Sequence, residues 1–147
     1  MADILKEAFD PFKSLYSPEA YANTVVGEQV IQQRVAAGFS WLFVEEDIVL
    51  GTVSAVPTWE GLYVTGMAVL PLAQGKKVAY RLMDRLEKCS VEKGVERLYL
   101  YTTPFLHKAV NLYEKFGFTR YGNPQDQWMG TTLIQFEKMI GVQEKGN

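Results

Sequence analysis

The stretch from Tyr63 to Gly94 constrains this chain more than any other, because it reads as an apolar strand, a basic loop and a long amphipathic helix in direct succession. A helix of that length is the crossover that a parallel strand pair requires. The next apolar run, Val95 to Thr103 with Leu98, Tyr99, Leu100 and Tyr101 at its centre, supplies the second strand. The connecting loop, Pro71-Leu72-Ala73-Gln74-Gly75-Lys76-Lys77-Val78-Ala79, leads into a helix start, where unpaired backbone N–H groups and the positive end of the macrodipole favour an anion. Lys76 and Lys77 add full charges, so a phosphate group fits. A solvated basic helix start is the other reading, because short Gly/Lys motifs do not decide between them alone.

The rest of the chain falls into place around that unit. Ile4, Leu5, Ala8, Phe9, Phe12 and Tyr16 recur at helical spacing, with Asp3 available as a cap and Pro11 predicting a break near Asp10. Ser17-Pro18 is a cap-plus-proline start for a short helix to about Asn23. Gly27 to Ala37 predicts another helix, with Val30, Ile31, Val35 and Ala36 on one side and Gly38 closing it. Phe39 to Val44, Ile48 to Val56 and Leu62 to Leu70 are β-prone runs, and a three-strand antiparallel meander is their economical arrangement, with Glu45-Glu46-Asp47 as a hairpin connection. The helix from Gln74 carries Val78, Ala79, Leu82, Met83, Leu86 and Cys89 as one apolar stripe. Thr103-Pro104 repeats the cap-plus-proline signature ahead of a helix with Phe105, Ala109, Leu112, Tyr113 and Phe116 inward, stopped by Gly117. Phe118 to Tyr121 is a short strand, Gly122 to Gln127 a polar turn, Thr132 to Ile140 the last strand and Gln143 to Asn147 a frayed tail. The fold class is therefore mixed α/β.

Composition narrows the function classes. A length of 147 residues with 48% hydrophobic and 22% charged side chains suits a single soluble domain over residues 1–147. A net charge of -2 gives no case for nucleic acid, and no window supplies the ~20 apolar residues of a membrane span. One cysteine and one histidine exclude an intramolecular disulfide and a Cys/His metal cluster, so a metal-free, cytoplasmic protein is expected.

The loop Met67-Ala68-Val69-Leu70-Pro71-Leu72-Ala73-Gln74-Gly75-Lys76-Lys77-Val78-Ala79, together with the later Ala109-Val110-Asn111-Leu112-Tyr113-Glu114-Lys115-Phe116-Gly117-Phe118, resembles the GNAT superfamily of acetyl-CoA-dependent N-acetyltransferases. The resemblance implies an acyl-CoA N-acyltransferase fold, with the meander and the parallel pair built around the cofactor. It implies that Met67, Ala68 and Val69 lend backbone groups to the pantetheine arm, while the amides from Gln74 to Ala79, including Gly75, Lys76, Lys77 and Val78, hold the pyrophosphate. The family glycine is replaced by Lys77, whose side chain either points outward and adds charge or obstructs the approach.

Tyr113 matches the family tyrosine that protonates the departing thiolate, against the alternative of a core tyrosine at helical spacing. For a base, Glu60 at the third strand's entrance, Glu45 or Glu46 at the hairpin, or water alone are the alternatives. His107 is expected to be exposed. The family's usual first strand is missing, because the chain opens directly with helix, and a homodimer covering the bare sheet edge is the hypothesis that follows. Phe9, Phe12, Tyr16, Tyr21, Trp59 and Trp128 make the acceptor side aromatic, which suits a bulky or apolar amine, with core packing as the equal alternative; the expected acceptor is a small-molecule or peptide amine. The expected activity is N-acetyl transfer from acetyl-CoA by direct attack. A non-catalytic acyl-CoA-binding regulatory domain or an unrelated α/β interaction module are the alternatives.

Overall fold

The computed structural model describes residues 2–122, 125–128 and 131–140, with the backbone alone for residues 37, 125–128 and 131. The tail expected at residues 143–147 and the Trp128 side chain lie outside the described residues.

The chain opens with helix α1 (Ala2–Phe9), and a 3-10 turn over Asp10–Leu15 follows where Pro11 stops the α-helical ladder. Asp3 therefore sits in the first turn of α1 rather than at its cap. Ser17 caps α2 (Pro18–Thr24), its side chain accepting from the Ala20 N–H at 3.1 Å. Among the described side chains of α3 (Glu28–Ala37) only Ile31 is buried; Val30 and Val35, expected to face inward, are exposed, because this short helix meets the sheet along a narrow stripe. Gly38 follows, and a side chain there would drive its Cβ into the Ala55 carbonyl oxygen, so α3 can approach the sheet this closely only through glycine.

The three-strand meander is present as β1 (Phe39–Glu45), β2 (Ile48–Thr58) and β3 (Gly61–Val69), paired antiparallel. The β1–β2 hairpin closes with Glu46 and Asp47 both at positive φ (51° and 64°), the mirror-image turn whose twist matches its strands. β3 then pairs in parallel with β4 (Arg97–Thr102) through α4 (Val78–Glu92). The mixed sheet runs β1-β2-β3-β4-β7-β5, where β5 is Thr119–Arg120 and β7 is Thr131–Met139; β6 (Gln125–Trp128) pairs with β7 off this path. β6 occupies part of the segment predicted as polar turn, because its backbone pairs with β7 whatever its polarity. Among the described residues no strand precedes α1, and β1 is a sheet edge.

Leu50 to Ala55 of β2 are buried without alternation, as expected of a strand covered on both faces. On one face Gly51 looks at Val78 and Leu82 of α4. Ser54, of opposite parity, faces the layer that includes α3, where its Oγ lies 2.8 Å from Ser40 Oγ. Along α4 the stripe is Val78, Leu82, Met83, Leu86 and Ser90; Cys89, expected on it, is half-buried. The inward Ser90 hydroxyl is satisfied by donating to the Leu86 carbonyl at 2.8 Å. The final helix α5 (His107–Lys115) starts later than Thr103-Pro104 suggested, because Leu106 N–H first bonds back to the Thr103 carbonyl in a turn.

Candidate functional site

Pairing between β3 and β4 covers only Leu62↔Leu98 and Tyr63↔Tyr99. Beyond these two pairs the strands separate, and β3 from Val64 to Val69 turns one hydrogen-bonding edge into the resulting cleft. Such an edge in the middle of a sheet can accept an extended, amide-bearing ligand as it would a strand.

Within that edge the partners jump from Ser54↔Thr65 to Thr52↔Ala68, so Gly66 and Met67 together oppose Val53. This is a β-bulge, and Gly66 takes the left-handed φ of +67° that it needs. The bulge locally interrupts the ladder and re-aims Met67. Sequence reasoning named Met67, Ala68 and Val69 without the glycine that shapes them, although an isolated Gly in a strand pattern is itself a bulge signal.

At the far end of β3, Leu70 leads into a 3-10 turn over Pro71–Ala73, and α4 begins only at Val78, four residues later than the expected Gln74. The difference arises because Gln74 is extended, Gly75 has φ +90° and Lys77 has φ 62°, ψ 25°. Lys77 is the N-cap and offers no side-chain cap, so the first N–H groups of α4 have no capping acceptor. The left-handed backbone accounts for glycine being usual there. Lys77 adopts the same geometry with its side chain exposed.

The charges gather around this loop. Lys76 Nζ is 3.6 Å from Glu45 on the β1–β2 hairpin, both side chains being half exposed. Lys108 of α5 donates to Gln74 Oε1 at 2.8 Å, bringing in a third lysine that no spacing in the sequence connects to the loop. Val78 and Ala73 are buried and anchor the loop from below.

Tyr113 lies on the inner face of α5, 6% exposed, its ring packed on Phe118 and Phe136 at centroid distances of 5.9 and 6.1 Å. Burial pushes its phenol well above the ordinary range, and the neighbouring Tyr16 and Tyr63 reinforce the shift. Tyr16 is itself raised by burial, against the pull of Thr103 and Thr24. Tyr63 is raised by burial too, tempered by its hydrogen bond to Thr65 and by the charge of Arg34. The phenols of Tyr16, after the 3-10 segment, and of Tyr63, on β3, thus both bear electrostatically on Tyr113 of α5.

Glu60 is not brought to them. It is exposed in the β2–β3 turn, its N–H donating to Thr58 Oγ1 at 3.2 Å and its carbonyl accepting from Arg97 Nη1 at 3.0 Å. Gly66 lies six residue steps further along the chain, ~20 Å when extended. Burial and the neighbouring Tyr121 and Tyr99 raise the Tyr101 phenol, and the charge of Glu60 adds least to that shift. Glu45 is engaged with Lys76, and His107 is exposed at the start of α5. Of the expected aromatics, Tyr16 is buried between Phe9, Tyr21 and Phe105, whereas Trp59 is 93% exposed.

One further cation stands at the cleft. Arg34 of α3 is half-buried, with Nη1 3.2 Å from where a Cβ on Gly66 would lie. Among the described residues, no group of three or more acidic, cysteine or histidine side chains could hold a metal, and no helix is long and apolar enough to cross a membrane.

Comparison with known proteins gives a consistent picture. The sequence profile of the acetyltransferase (GNAT) family matches residues 1–118. Among solved structures, an acetyltransferase of the GNAT family from Staphylococcus aureus Mu50 superposes with a TM-score of 0.76 at 14% identity, covering 93% of this chain and 89% of that one. An aminoglycoside 6'-acetyltransferase type Ii superposes at 0.74 with 21% identity, covering 94% and 86%. A GNAT family acetyltransferase from Elizabethkingia anophelis, solved with acetyl-CoA bound, superposes at 0.65 with 17% identity, covering 85% and 92%. A search of curated sequences found no match.

Proposed function

Because the chain belongs to the acetyltransferase (GNAT) family, we propose that it is an N-acetyltransferase, moving the acetyl group of acetyl-CoA to a primary amine of a small molecule or peptide by direct attack. The observation that carries this reading is the cleft itself: a bare strand edge from Val64 to Val69 that ends at an uncapped helix start ringed by Lys76, Lys77 and Lys108. Its shape and charge suit a long ligand with an amide-bearing arm and a pyrophosphate. Acetyl-CoA supplies an activated thioester; relatives of this fold have been solved with it or with coenzyme A.

The residues divide the work by position. Met67, Ala68 and Val69 offer backbone groups to the arm, and the amides from Gln74 to Ala79 hold the phosphates with the lysines around them. Tyr113 is the donor to the departing sulfur. Burial keeps its phenol protonated at neutral pH, and a buried phenolate is costly, so Tyr113 shares its proton with the sulfur in a hydrogen bond. Much of the acceleration then comes from holding the two reactants together. With Glu60 remote from the bulge, water is the acceptor of the amine proton in this reading.

Thermal unfolding with acetyl-CoA, free coenzyme A and an adenine nucleotide, followed by thiol release across an amine panel, tests the proposal. A shift with both coenzyme A forms and amine-dependent thiol release, much reduced in Tyr113→Phe, is the expected result. A shift without release across amines and peptides would favour the second reading, a non-catalytic acyl-CoA-binding regulatory domain, for which Glu60's position speaks. We place the protein in the cytoplasm, in keeping with its one free cysteine. The β1 edge, with Leu42 and Val44 half exposed, is the surface a homodimer would cover; a monomeric mass by light scattering would remove that assembly.

A further inference from the structure

We propose that the amine acceptor carries a carboxylate and that Arg34 is the residue that selects it, gripping the carboxylate beside the Gly66–Met67 bulge. This inference rests on the N-acetyltransferase reading and names the substrate class for it.

Arg34 lies near the C-terminal end of α3, on the face of the sheet opposite α4. Its guanidinium stands directly over Gly66, and Ser54 Oγ faces the same point from β2. Tyr63 is its other neighbour, close enough for its phenol to feel the positive charge. Yet none of the ion pairs among the described residues includes Arg34. Burial works against its charged form, although an arginine stays protonated in any protein environment. A half-buried guanidinium is an unfavourable arrangement unless a partner compensates it. At Arg34 the compensating anion comes from a ligand.

Position distinguishes that ligand from the coenzyme's phosphates. These belong to the loop beyond Val69, about 10 Å of strand away from Gly66 before the loop begins. Arg34 stands over the middle of the exposed β3 edge, on the side of the N-terminal helices, where this proposal has the acceptor enter. A single planar fork with hydroxyl neighbours matches a carboxylate in bidentate fashion. A phosphate would call for the several donors found at the α4 start instead.

The test compares amines that differ only by a carboxylate: phenethylamine with phenylalanine, and isoamylamine with leucine, each with acetyl-CoA and the full chain. Wild type should use the carboxylated member of each pair better. Arg34→Gln should lower kcat/KM for that member by about ten- to a hundredfold, the range for a charge-assisted contact, mostly through KM. The decarboxylated amines and the KM for acetyl-CoA should not move, and Arg34→Lys should recover part of the loss. As a readout free of turnover, amino acids should raise the unfolding temperature of the coenzyme A-loaded wild type and leave that of Arg34→Gln unchanged.

Equal handling of both members by wild type would overturn the inference while leaving the acetyltransferase reading intact. So would a uniform loss across all amines in Arg34→Gln, which would mean a structural or transferable-group role. Absence of any acetyl-CoA-induced stabilisation would overturn both.

Discussion

Replacing Lys77 by glycine isolates the strain held at the start of α4. Lys77 has φ 62°, ψ 25°, a left-handed conformation that costs an ordinary L-residue about 1–2 kcal/mol. Glycine removes that cost but brings back ~0.5–1 kcal/mol of unfolded-chain entropy. It also removes a positive charge from the positive end of the helix, a gain of a few tenths of a kcal/mol at so exposed a position. The net expectation is a stabilisation of ~0.5–1.5 kcal/mol, which for a domain of this size raises the melting temperature by roughly 1–6 °C. Lys77→Ala is the control, since it loses the same charge and keeps a Cβ at the strained position; it should melt close to wild type. The assay is thermal and urea unfolding of the three proteins side by side, with acetyl-CoA affinity measured on each by calorimetry. Because the lysine side chain is exposed, coenzyme A affinity should fall modestly and equally in both variants, through charge alone. If Lys77→Gly were no more stable than Lys77→Ala, the left-handed geometry would be wrong. If glycine alone tightened acetyl-CoA strongly, the lysine would be an obstacle and the catalytic reading would weaken.

Other perturbations follow from the same geometry. Changing Glu46-Asp47 to Asn-Gly, which suits a turn with both central residues at positive φ, should stabilise the β1–β2 hairpin by about 1 kcal/mol in urea unfolding. Gly38→Ala puts a methyl against the Ala55 carbonyl and should cost more than ~3 kcal/mol, seen as a large fall in urea midpoint or as loss of soluble protein. Folding raises the Tyr113 phenol above its ordinary 10.0, so the folded state holds this proton more tightly than the unfolded chain does. Its contribution is therefore fully present below pH 10 and is lost as pH climbs above it; Tyr113→Phe should flatten the decline in urea midpoint between pH 9.5 and 11.

The strand–loop–helix unit and the crossover were legible in the sequence because hydrophobic periodicity and Gly/Pro punctuation are local signals, and the meander and β3–β4 pair appear where those signals put them. What the sequence withheld is set by tertiary contact. The start of α4 moved from Gln74 to Val78 because a left-handed lysine cannot be read from composition. Val30 and Val35 were misplaced because α3 touches the sheet along a stripe narrower than its apolar face. Ser90 displaced Cys89 from the core stripe because a hydroxyl bonded to its own helix backbone is as buriable as a thiol. At the candidate site, Tyr113 and the loop were named by motif, whereas Arg34 and Lys108 come from distant segments and carry no local signature. Gly66 was readable, as a lone glycine in a strand, and was overlooked beside its motif neighbours.

Only two ladder pairs join β3 to β4 along the seam between the sheet's two halves, β1-β2-β3 and β4-β7-β5, beside the side-chain links of Arg97 to the Glu60 carbonyl and of Thr58 to Tyr99. A ligand lying in the cleft would complete the weave as a surrogate strand. Recognition at this place is thereby a late stage of sheet assembly, and those backbone amides between Val64 and Val69 that do not bond to β2 should exchange their hydrogens with solvent freely until coenzyme A closes the seam.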